Sequence, residues 1–157
     1  AFLYAQLEFY REILDKRRAI WERYNDGLWE WATDHGVGLP VVPGTCEQPY
    51  HMFYIIMNSL GERQRLIEHL KSNGILSVFH FLPLHLSEMG MRLGGDRYHC
   101  PVTERVSDRL LRLPFFNDLT EDDQSSVIET LESFGGWDRA GRPSSSLKAG
   151  TGLDKGL

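Results

Sequence analysis

The residues best placed for chemistry are two histidines, His80 and His85, in the stretch VFHFLPLH, where an apolar run meets Pro83 and passes into a loop. Strand ends that feed loops are where a rigid scaffold presents functional groups. Strand alternation puts His80 on the face opposite Phe79 and Phe81, so its imidazole could exchange a proton near neutral pH or bond a ligand oxygen. The plainer reading is a satisfied core or edge histidine, which is the commoner fate of such a residue. A metal set drawn from His51, His80, His85, His99 and Cys100 is conceivable, but the spacings match no recurrent ligand pattern and no carboxylate supports them; no metal site is expected. Neighbouring side chains of an extended chain point apart, so His99 and Cys100 do not form a reactive thiol pair. Asp122 and Asp123 suit the positive end of a helix better than acid–base work. No phosphate-binding glycine motif occurs, and Gly94-Gly95 is a turn signal.

Composition bounds what those residues could serve. The 157 residues are 41% hydrophobic, with four Trp, eight Phe and six Tyr, enough for one domain with a core. Lys and Arg number 17 against 22 Asp and Glu, and no basic run could track a phosphate backbone, so nucleic acid is not an expected partner. Cys46 and Cys100 are too few for a disulfide framework. No apolar run approaches the ~20 residues of a membrane span, and the N-terminal charges follow the apolar residues, the reverse of a signal peptide. A cytoplasmic location is expected. The chain begins without Met inside a helical pattern, which reads as a piece of a longer protein.

The elements that must position the histidines follow from periodicity. Leu3, Leu7, Tyr10, Leu14, Trp21, Tyr24 and Leu28 form a near-heptad stripe interrupted at Arg17, with no Gly or Pro before Gly27, predicting one leading helix of about eight turns. Gly36, Gly38 and Pro40 end it. Tyr50 to Met57 (YHMFYIIM) is continuously apolar and predicts a central strand covered on both faces. Ser59 and Glu62 form a capping box for a helix closed by Lys71 and Gly74, and ILSVFHFL predicts a second strand halted by Pro83. PLHLSEMGMRLGGDRYHC is loop-like with one helical turn. VTERVSDRLLRL reads as an amphipathic helix ended by Pro114, and Thr120 caps a last helix carrying Val127, Ile128 and Leu131. From about Gly136 the chain is rich in Gly and Ser and is expected to be disordered, which divides it into a domain at 1–135 and a tail at 136–157. The fold class is α+β: a long leading helix and a small, mostly antiparallel sheet with helices on one side.

Together YHMFYIIM, HLKSNGILSVFHFLPLHLSEMG, CPVTERVSDRLLRLPFFNDLT and the opening AFLYAQLE resemble the DegT/DnrJ/StrS sugar-nucleotide aminotransferases, from Ala1 to about Phe134. The likeness is nearest to members that form dTDP-4-amino-4,6-dideoxygalactose from a dTDP-4-keto-6-deoxyhexose, in surface-polysaccharide biosynthesis. It implies a dimeric fold-type-I enzyme using pyridoxal phosphate, of which this chain is the C-terminal small domain and the leading helix the bridge to a cofactor-binding large domain. The lysine that bonds the cofactor and the acid that holds its ring nitrogen would lie in that large domain. Lys16 sits in a charged helix turn, Lys71 at a helix end, and Lys148 and Lys155 in the tail; none has the desolvated setting of a Schiff-base lysine. No catalytic residue and no bound pyridoxal phosphate are therefore expected in this chain alone.

Carried over by position, His80 matches the family histidine near the active-site mouth and becomes a substrate-side contact, with His85 and Arg92 as further candidates. Where some relatives place an arginine two residues after that histidine, this chain has Leu82. For His85 the competing role is a hydrogen bond that pins the loop. The alternative for the whole chain is a stand-alone interaction or dimerisation module derived from such a domain, since an uncovered stripe of Leu3, Leu7, Tyr10 and Leu14 would drive self-association.

Overall fold

The leading apolar stripe forms two helices in the computed structural model, which describes residues 2–97 and 99–138. α1 spans Phe2–Glu8 and α2 spans Tyr10–His35, with Phe9 leaving helical geometry at φ −107° and ψ 15°. The single leading helix expected is thus broken at Phe9 and otherwise runs to Gly36, the first of the residues expected to end it. It passes Gly27 because Leu28, Trp31 and Ala32 continue the buried face. Gly27 itself marks the crossing of the last helix: a Cβ there would lie 2.8 Å from Ile128 Cδ1. α2 ends at Gly36, whose φ of 67° only glycine adopts without strain, and whose neighbour Val37 returns its N–H to Ala32 O at 2.8 Å.

Arg17, the interruption in the stripe, ties α2 to the chain that leads into the sheet. Its Nε donates to Tyr50 O at 2.8 Å, one terminal nitrogen to His51 O at 2.6 Å, and the other to Asn117 Oδ1 at 3.1 Å. Tyr50 has φ 44°, the one left-handed non-glycine residue among those described.

The sheet has three antiparallel strands, β1 (Tyr54–Ile56), β2 (Val78–Phe79) and β3 (Leu110–Arg112), in the order β1-β3-β2. The YHMFYIIM segment is therefore not the central strand. Phe53, Ile55 and Met57 are buried while Tyr54 and Ile56 are half-buried, an alternation that gives it one core face, and Gly38 forms an isolated bridge to Ile56 on its outer side. The centre belongs to β3, which the sequence pattern assigns to the end of a helix. Leu110 and Leu111 follow Arg109 of the preceding helix without a loop, and Leu111 pairs with both Ile55 and Phe79. Leucine favours helix locally; here burial of Leu110, Leu111 and Leu113, with Pro114 next, decides for a strand.

α3 (Leu60–Ser72) and α6 (Glu121–Glu132) pack with α2 against the buried face formed by Phe53, Ile55, Met57 and Leu111. Both start on the expected caps, the Ser59 hydroxyl accepting from Glu62 N and the Thr120 hydroxyl from Asp123 N. Glu62 does not return to the cap residue in the manner of a full capping box. Its buried carboxylate accepts from the Asn58 amide at 3.1 Å and from the backbone N–H of Asp138 at 2.9 Å. Tyr24, also fully buried, donates its hydroxyl to Pro114 O at 3.1 Å, and burial pushes its phenol well above its ordinary pKa.

The residues just past the boundary drawn at 135 are seated on the domain. Trp137 stacks on His35 with centroids 4.3 Å apart and meets Phe134 edge-on at 5.0 Å. The Asp138 carboxylate accepts from the Ser59 hydroxyl at 2.7 Å and pairs with Arg65, which also donates to Gly136 O at 2.7 Å. The remaining tail, 139–157, with Lys148 and Lys155, lies outside the described residues. No described helix is long and apolar enough to cross a membrane.

Candidate functional site

The loop that leaves β2 carries both histidines, and α5 (Pro101–Arg109), directly preceding the central strand, holds that loop. Pro101 at the first position gives α5 a preset φ and costs it no hydrogen bond. His80 lies with Phe81 against Val102, Thr103, Val106 and Ser107 of α5 and Leu110 of β3, around a recess of about 340 Å³. Its ring contacts that of Phe81 at 4.6 Å, and its Nδ1 is buried with no hydrogen-bond partner. A buried ring nitrogen left in that state has unspent bonding capacity.

His85 has a different role. It sits in a short 3-10 turn, Leu84–Leu86, and its Nε2 lies 2.9 Å from Glu104 Oε1, with its side chain 12% exposed. This is the loop-pinning bond that competes with ligand contact in the sequence reading. The His85 bond, assisted by the Cys100 backbone N–H and by the charges of His85 and His99, holds the Glu104 carboxyl below the usual glutamate range. A second pin lies one helical step away, where the Ser107 hydroxyl donates to Phe81 O at 3.0 Å.

Arg92 stands apart from both histidines. It belongs to α4 (Glu88–Arg92), is exposed, and pairs with Glu88 one turn back on the same helix. The geometry joins His80 and His85 through α5 and leaves Arg92 at the surface.

Four residues that sequence reasoning missed complete this arrangement: Glu104, Ser107, Gly90 and Gly95. A Cβ on Gly90 would lie 2.0 Å from Leu84 O, and one on Gly95 would lie 2.1 Å from His85 O. Both glycines permit a close backbone approach to the histidine loop, so Gly95 is more than the turn signal expected of it. The only sequence trace of the other two is the i, i+3 spacing of Glu104 and Ser107 on a short helix.

Electrophilic or Schiff-base chemistry has few supports here. The two described lysines, Lys16 and Lys71, are exposed on helices, and among the described residues no three His, Cys, Asp or Glu side chains converge to hold a metal. Neither described lysine offers the desolvated amine that pyridoxal phosphate requires.

Around the loop the surface is apolar and uncovered: Phe81 is 74% exposed, Leu82 68% and Leu84 84%. Leu3, Leu7 and Tyr10 are likewise exposed, along a groove of about 590 Å³ shared with Phe115 and Phe116.

Comparison with known proteins gives this geometry a family. The DegT/DnrJ/EryC1/StrS aminotransferase family matches residues 1–132. A dTDP-3-amino-3,4,6-trideoxy-alpha-D-glucose transaminase of Micromonospora megalomicea subsp. nigra is 33% identical over 117 residues, covering 73% of this chain and 30% of that protein. A UDP-N-acetyl-3-dehydro-alpha-D-glucosamine 3-aminotransferase of Acidithiobacillus ferrooxidans is 31% identical over 137 residues, covering 78% and 36%. Among solved structures, the aminotransferase TlmJ from Streptoalloteichus hindustanus superposes with a TM-score of 0.72 at 28% identity, over 82% of this chain and 33% of that one. DesV of S. venezuelae, solved with a ketimine intermediate, superposes at 0.70 with 25% identity, over 83% and 34%. The chain thus spans about a third of the length of the relatives it matches. Its α+β architecture is that of one segment of those enzymes, and the chain belongs to the DegT/DnrJ/EryC1/StrS aminotransferase family.

Proposed function

We propose that this chain is the C-terminal small domain of a pyridoxal-phosphate-dependent transaminase that aminates a keto-sugar nucleotide in surface-polysaccharide biosynthesis, its substrate a dTDP-4-keto-6-deoxyhexose. The observation that carries the reading is His80, at the edge of an open recess on a family-matched fold, with a buried ring nitrogen that nothing in the described residues satisfies. A substrate oxygen that entered the recess and drew the ring outward would relieve the cost of leaving that nitrogen unpaired. Two relatives named above are sugar-nucleotide aminotransferases by name, both at carbon 3, which makes the position of the keto group the finer part of the proposal. His85 pins the loop, and Arg92, apart from both histidines and paired with Glu88, would meet substrate only in the whole enzyme.

The chain alone is inactive on this reading, because the cofactor lysine and phosphate cradle belong to a large domain elsewhere in the whole protein. Exposure of Lys16 and Lys71 supports that reading. So does the uncovered apolar surface at α1 and at Phe81, Leu82 and Leu84, which the large domain and a dimer partner would bury. The working protein is a cytoplasmic homodimer.

The test is a pair of assays. Pyridoxal phosphate added to the purified chain should give no lysine-bound absorbance band, and borohydride should fix no adduct at a single lysine. The full-length polypeptide should aminate dTDP-4-keto-6-deoxyglucose in preference to its 3-keto isomer, and His80→Ala should lower turnover. A specific adduct on the isolated chain would instead make it a cofactor-binding unit. Failure of the full-length polypeptide to aminate any keto-sugar would favour the alternative of a non-catalytic dimerisation module, for which the same exposed α1 stripe speaks.

A further inference from the structure

We propose that Glu104 and Ser107 are positioning residues for His80, acting as a two-point clamp that fixes the loop from Phe81 to His85 against α5. The clamp's consequence for turnover rests on the reading of His80 as a substrate-side contact; the clamp itself does not.

His80 has no hydrogen bond at Nδ1, so that nitrogen does not set its orientation. The adjacent backbone does. Ser107 holds the Phe81 carbonyl at 3.0 Å, one residue beyond His80, and lines the same recess as the His80 ring. Glu104, three residues earlier on that helix face, holds His85 at 2.9 Å. Between the two anchors lies Pro83, whose φ of −56° is fixed by its ring, so the bracketed backbone has little freedom left. Gly90 and Gly95 also bring their backbones against Leu84 O and His85 O. The loop is held by α5, by these backbones and by buried Pro83, while its exposed members, Phe81, Leu82 and Leu84, add little packing. A histidine that must meet a substrate oxygen within hydrogen-bond reach needs this kind of support, because small misplacements at a reacting site cost large factors in rate.

Ring-nitrogen NMR of the 15N-labelled chain tests the clamp directly. Glu104→Ala should shift both the His85 and the His80 ring signals, Ser107→Ala should shift His80 alone, and Glu104→Asp should restore most of the wild-type pattern. His51 and His69 serve as internal controls and should not move. If Glu104→Ala fails to fold, Ser107→Ala, which removes one hydroxyl, carries the test. His80 signals unchanged in the folded variants would overturn the clamp. In the full-length enzyme the same substitutions should reduce kcat by about tenfold to a hundredfold while leaving KM for the amino donor unchanged. Unaltered turnover of His80→Ala there would sink the substrate-side reading, whereas shifted His80 ring signals would still support the clamp.

Discussion

Nε2 of His85 lies 2.9 Å from Oε1 of Glu104, joining the loop after one edge strand to the helix that runs into the central strand. The bond gives the loop a pH dependence whose direction is fixed. A carboxyl held below its unfolded pKa stabilises the fold above that unfolded value and loses the contribution as pH falls through the folded one. Amide protection factors across residues 81–86, referred to the intrinsic exchange rate at each pH, should therefore fall on acidification below the ordinary glutamate range, and Glu104→Gln should flatten that response. Protection factors that stay constant with pH in the wild type would remove Glu104 from this role.

Arg17 serves three acceptors at once, and lysine cannot copy that fork. Both Arg17→Lys and Arg17→Ala should destabilise the domain, the alanine variant by about 2 kcal/mol, in line with hydrogen bonds to a charged donor. Denaturant unfolding measures it. Because the Tyr50 carbonyl is one of the three acceptors, the near-ultraviolet signal of Trp21, edge-on to Tyr50, should change in the same variants.

Gly90 is confronted by a backbone oxygen that cannot rotate aside. Gly90→Ala should cost about 1–3 kcal/mol and weaken the His85–Glu104 bond by displacing Leu84. Gly44→Ala, with nothing within 4 Å of the added methyl, should stay within about 0.5 kcal/mol of wild type. Thermal unfolding of the two side by side separates steric conflict from the general effect of replacing glycine.

Asp138 at the start of α3 and Trp137 on His35 at the end of α2 form a latch. Hydrogen bonds from Ser59 and Arg65, with the Arg65 charge, hold the Asp138 carboxyl below the usual aspartate range. The sign is that of Glu104: the latch contributes above the unfolded aspartate pKa and releases as pH falls through the lowered one. Trp137 fluorescence should report release at acid pH, and Asp138→Asn should show a weakened latch at neutral pH with a smaller acid transition.

What the sequence disclosed and what it hid divide by the range of the interaction. Ser59, Thr120 and Gly36 act on their own helix ends, so type and spacing suffice to find them. A small sheet packed with helices was legible from the continuous apolar runs YHMFYIIM and ILSVFHFL and the capped helices between and after them. The identity of its centre was not, because Leu110 and Leu111 favour a helix until Ile55 and Phe79 flank them. His80 and His85 stood out as polar residues at the end of an apolar run. Glu104 did not, since its meaning depends on a partner 19 residues earlier in the chain. The latch at Asp138 was hidden for the same reason, its partners lying more than 70 residues back.

The junction between Arg109 and Leu110 has a mechanical consequence. With no loop to absorb motion, α5 and β3 behave as a lever with its fulcrum in the sheet: tilting the helix that grips the histidine loop must strain the ladder on both sides of Leu111. Force applied at the site is transmitted to a strand paired on both sides, which makes the histidine loop stiff in bending although most of its surface is bare.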